Sequence, residues 1–157
     1  MATLDLKKIK KTIRIFAVAQ FGLIALLLYM AVGFQQQLQM LGRAQNFMGG
    51  VITAFVIQLI VFFPIFRFAQ REAERDFSLV DRSPTAEESK AFAKKKRWAD
   101  VIKMSIFGFY FIFIMAAPNN PVILSVIYYS FILTILTYLQ SYNFAAKKLA
   151  KESAAKG

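Results

Sequence analysis

A chain of 157 residues that is 57% hydrophobic and only 18% charged is too apolar for an ordinary soluble domain, in which about a quarter of residues are charged. With no Cys and no His it has no disulfide, no thiolate or imidazole metal ligand and no histidine general base, which removes a large share of enzyme chemistry. The formal net charge of +11 would suit nucleic acid or an anionic membrane surface, and the placement of the charges decides between them.

Four apolar stretches come close to the ~20 residues that a helix needs to cross ~30 Å of hydrocarbon. They lie at residues 15–34, 48–66, 98–117 and 121–142. None shows the regular polar positions of a soluble amphipathic helix. The first is longer than the apolar core of a signal peptide, so it is expected to stay in the chain as a spanning helix. The predicted fold is therefore all-α: a single membrane domain over residues 1–157, built as a four-helix transmembrane bundle.

Around these segments the basic residues are sorted. All but one of the 20 Lys and Arg fall before the first segment, between the second and third, at the start of the third or after the fourth. Arg43 alone falls in a loop on the other side. The positive-inside rule then predicts cytoplasmic termini and a cytoplasmic loop at 67–97, in a membrane of the bacterial inner type. Lys94, Lys95, Lys96, Arg97 and Trp98 read as a membrane-entry anchor with affinity for anionic lipid headgroups, not as a nucleic-acid patch.

The 67–97 loop is too long for a structureless connection. Phe66, Ala69, Ala73, Phe77 and Val80 step by three and four, which carries the second helix to about Leu79. The charges of "REAERD" beside this stripe read as a solvated face. Ser83-Pro84, or Thr85 with Glu88 as a capping box, starts the next helix, which runs unbroken into the third span. The expected result is a cytoplasmic helical hairpin with its tip at Asp81-Arg82-Ser83. It either packs on itself as a stalk or offers Phe77 and Phe92 to a docking partner. The other connections are "QQQLQMLGRAQN" and "PNN".

Polar residues inside the spans are few and mostly neutral. Gln20, Gln58, Ser105, Thr134 and Thr137 fall at a similar depth, with Ser130 and Ser141 on the Thr134 face, and form a candidate intramembrane cluster with Lys103. Lys103 is three residues from Asp100, so the two can pair at the membrane boundary. Alternatively, Lys103 turns inward toward Gln20, Gln58 and Thr137. No nucleophile–base pair, paired carboxylates or cofactor motif is visible, and no cofactor is expected. The expected role is a non-enzymatic accessory, scaffold or assembly subunit that associates with other membrane proteins or with itself. The alternative is a small oligomeric channel or transporter using the neutral polar layer.

Overall fold

A computed structural model of the chain describes residues 2–81 and 85–155. It contains four α-helices: α1 (Ala2–Met40), α2 (Gln45–Asp81), α3 (Ala86–Ala116) and α4 (Pro121–Ala155). All four are long and apolar enough to cross a membrane, the mark of an integral membrane protein. Helices are the natural solution here, since lipid offers no partner to an unpaired backbone N–H or C=O.

Every helix outruns its apolar segment. At 39 residues α1 reaches roughly 58 Å, about twice the hydrocarbon thickness. Most of "QQQLQMLGRAQN", expected as a loop, is helix. α1 continues to Met40 and only residues 41–44 turn the chain. The stop is a Schellman motif: Gly42 adopts φ 67°, its N–H donates to the Gln39 carbonyl at 3.0 Å, and the Arg43 N–H donates to the Leu38 carbonyl at 2.8 Å. α3 opens on the Thr85–Glu88 capping box, each residue's side chain accepting the other's backbone N–H. The alternative start at Ser83-Pro84, and Arg82 and Ser83 of the expected hairpin tip, lie outside the described residues. α4 starts at Pro121, with Asn120 Oδ1 accepting the Val122 N–H at 3.0 Å. Pro64 is held within α2 without ending it.

Packing is uneven. α2 and α4 form the principal helix pair, α1 packs on α4 and less on α2, and α3 touches α4 only lightly. The start of α1, the end of α2, the start of α3 and the end of α4 share one end of the bundle, which is also the charged end. A core of Ile9, Ala69, Ala73, Phe77, Tyr142, Ala145 and Ala146 sits there, where α1, α2 and α4 meet. Phe77 is therefore enclosed in the core and is not on a docking surface. Only Ala99 of α3 is buried. Among the described residues the backbones of α2 and α3 scarcely approach each other, unlike the close packing expected of a self-packed stalk.

At the opposite end α2 and α4 meet through Gly50 and Ser125. A Cβ on Gly50 would lie 2.9 Å from Ser125 Oγ, whereas one on Gly49 would meet nothing within 4 Å. Ser125 is almost fully buried and its hydroxyl donates to the Val122 carbonyl at 2.8 Å, so it has little room to retreat. Gly50→Val should therefore destabilise the bundle by about 1–3 kcal/mol, while Gly49→Val, with a similar helix propensity change, should be milder. Thermal unfolding in detergent compares the two, and equal melting temperatures would remove Gly50 as the contact point.

Candidate functional site

The site is built around a carboxylate that periodicity places on the core stripe. Glu72 is three residues from Ala69 in α2, so it shares the face that packs on α4. It is only 7% exposed. Its two oxygens are met by donors from three helices. Lys103 of α3 donates to Oε1 at 2.7 Å, Arg75 of α2 donates to the same oxygen at 3.2 Å, and the Tyr138 hydroxyl of α4 donates to Oε2 at 2.7 Å. Such charge-assisted bonds are the strong class of hydrogen bond.

A second layer follows one turn on. Asp76 receives the Tyr142 hydroxyl at 2.8 Å and an Arg75 nitrogen at 3.4 Å. Tyr138 and Tyr142 are four apart in α4, just as Glu72 and Asp76 are four apart in α2, so the two phenols meet the two carboxylates in register. Their rings also pack, with Phe16 of α1 5.0 Å from Tyr142 between centroids and Phe68 of α2 6.1 Å from Tyr138. Lys103 lies 5.9 Å from the centre of the Tyr138 ring.

Lys103 also pairs with Asp100 at 3.0 Å, as the three-residue spacing allows. It reaches inward as well, but to Glu72 and Tyr138 and not to Gln20, Gln58 or Thr137. The neutral cluster forms without it. Gln58 donates to Thr137 Oγ1 at 2.6 Å, Thr134 donates to Gln58 Oε1 at 3.5 Å, and Tyr110 of α3, absent from the expected set, lies 3.2 Å from Thr134. Ser105 is exposed and donates to the Val101 carbonyl of its own helix, so it stays apart. Gln20 stays apart too, with its amide nitrogen lacking a hydrogen-bond partner, as does the Ser130 hydroxyl.

Lys94, Lys95, Lys96, Arg97 and Trp98 are all exposed at the start of α3. Phe92 is half-buried there and lines, with Lys94, Lys95 and Trp98, an open groove between α2 and α3 of about 930 Å³.

The sequence expectations do not include Glu72, Arg75 and Asp76, because the charges of "REAERD" read as a solvated face, or Tyr138 and Tyr142, which sit within an apolar span. The signal that could have found them was the register: Ala69, Glu72, Ala73 and Asp76 step by three, one and three along one face, and Tyr138-x-x-x-Tyr142 offers matching donors.

Both oxygens of the Glu72 carboxylate accept hydrogen bonds, from donors on three helices, and this arrangement fastens the helices together. Removing Lys103 leaves a buried charge short of its strongest donor, whereas Asp100 is 54% exposed by side chain and is one of two partners. Lys103→Met should cost up to about 3–5 kcal/mol, as for breaking a buried pair, and Asp100→Asn no more than about 1 kcal/mol. In Glu72→Gln/Lys103→Met the loss should be smaller than the sum of the single losses. Unfolding in denaturant measures all four variants, and strict additivity would show that the two side chains do not act together.

No known protein family, curated protein or solved structure matches the chain. Its function is therefore read from the chemistry of this site and the exposure of its helices.

Proposed function

We propose that the chain is a non-enzymatic accessory or scaffold subunit of a membrane complex, oriented with both termini and the α2–α3 connection in the cytoplasm. The orientation rests on the positive-inside distribution of Lys and Arg, with the membrane taken to be a bacterial inner membrane. In that frame α2 and α3 extend on the cytoplasmic side as the two arms of a hairpin.

The observation that carries the subunit reading is the state of α3. Its own chain holds it through the Lys103–Glu72 pair, the Tyr110–Thr134 contact and the packing of Phe107 and Tyr110 on Phe131. Met104, Phe109, Phe111, Ile112, Phe113 and Met115 remain exposed. A peripheral helix held by one part-buried ion pair and a small patch around Tyr110, with these apolar side chains left uncovered, is suited to packing against a neighbouring membrane subunit. The mutual pairing of Gln58, Thr134, Thr137 and Tyr110 supports interhelical fastening over a polar solute path.

Because the chain contains no Cys, single cysteines report cleanly. Asn119→Cys should react with an impermeant thiol reagent from outside intact cells, and Glu152→Cys should not. Cysteines at Phe111 or Met115 should crosslink in the native membrane to a partner that copurifies in mild detergent. Reversed labelling would overturn the orientation, and a chain recovered only as a free monomer, with no crosslink from α3, would overturn the subunit reading.

A further inference from the structure

The groove between α2 and α3 has a chemical gradient along its length. α2 and α3 run antiparallel, so residues ascending in α2 and descending in α3 move together toward the charged end. Phe68 on α2 and Ile102 and Trp98 on α3 form its apolar base, next to the Glu72–Lys103 pair. Arg71, one turn beyond Phe68, and Lys95, nearly one turn beyond Trp98, stand further out, with Arg75 between them and Ser78. Along the whole groove four cations face two carboxylates. Arg75 is already paired with Glu72 and Asp76, while Arg71 and Lys95 are exposed and make no ion pair among the described residues. A volume of about 930 Å³ is at the upper end of small-molecule pockets and accommodates a headgroup with the first carbons of its chains.

We infer that this groove is a specific binding site for an acidic phospholipid, with the phosphate held by Arg71 and Lys95 and the upper acyl carbons lying on Phe68, Trp98 and Ile102. An apolar base at the level of an interfacial tryptophan will be covered by lipid in a bilayer, and two unpaired cations one turn further out select the charge of that lipid. The guanidinium of Arg71 offers the planar, forked donor geometry that matches phosphate oxygens. The occupant keeps the two arms apart where they do not pack on each other. This inference does not depend on the chain being a subunit of a larger complex.

Native mass spectrometry of the full chain in mild detergent, titrated with phosphatidylglycerol and with phosphatidylcholine of the same chains, tests it. Phosphatidylglycerol should bind preferentially, at one molecule per chain. Each cation at an anionic surface strengthens binding about fivefold, so Arg71→Gln/Lys95→Gln should lower that occupancy constant roughly thirtyfold. Lys147→Gln/Lys148→Gln, which removes the same charge from exposed sites on α4, should leave it nearly unchanged. Ala91→Trp, which fills the groove from an exposed position and keeps every charge, should also lower it and carries the test if the Arg71/Lys95 variant does not fold. Equal binding of the two lipids, an equal loss in the α4 variant, or full occupancy in Ala91→Trp would overturn the inference. Displacement of the signal by inorganic phosphate alone would overturn the lipid as occupant. Lipid-independent dimers abolished by Ala91→Trp would instead assign the groove to a second copy of the chain.

Discussion

A carboxylate buried between apolar helices has to be neutralised by donors brought to it, and in this protein those donors come from different helices. Glu72 cannot be buried unless Lys103 of α3 and Tyr138 of α4 are both in place. The same carboxylate therefore joins the tight α2–α4 pair to a helix that otherwise makes few contacts. Buried ion pairs are often no better for stability than well-packed apolar residues. What this one supplies is position: it sets the height of α3 against α2 to within one side chain. The Tyr142–Asp76 bond repeats the arrangement one turn on and locks the register of α2 against α4.

The location of the core follows from the solvent around each part of the helices. Between lipid-embedded helices there is no hydrophobic driving force, because lipid tails are as apolar as the side chains. Large residues in the spans can therefore remain exposed, and most of those in α1 and α3 do. Contact in the apolar region falls instead to short-range devices: the Gly50–Ser125 approach and the hydrogen bonds of Gln58 with Thr137 and Thr134. Toward the charged end helices must again hide apolar surface from water. There Ile9 and Phe77 are buried, and Ala69, Ala73, Ala145 and Ala146 let three helices come close.

The same division separates a fixed part of the molecule from an adaptable one. α1, α2 and α4 are bound by a core, a paired carboxylate layer and ring packing, while α3 leans on them through one ion pair and the Tyr110 region. The cleft this leaves beside α2 is bordered by cations that the chain itself does not neutralise. A helix held at two levels, Lys103 and Tyr110, with large apolar side chains exposed over much of its surface, can contact lipid or another protein without the bundle having to repack.

Much of the architecture was legible in residue order, because a bilayer imposes long apolar runs and those runs can be counted. Composition and spacing carried the four spans, the continuation of the second helix past Phe66, the capping box at Thr85 and the start at Pro121. The helical ends of α1 were not legible: Gln35, Gln36 and Gln37 look like loop by polarity, yet Gly42 is what stops the helix. The spacing of Asp100 and Lys103 gave their pairing. The meeting of Lys103 with Glu72, 31 residues away, had no local signal. Nor did the burial of Glu72 and Asp76, since a charged residue beside an alanine stripe is compatible with solvent or with a partner helix. That choice depends on where Tyr138 and Tyr142 come to rest. Periodicity reports which face of a helix a residue occupies, but only packing among separate helices determines what that face meets.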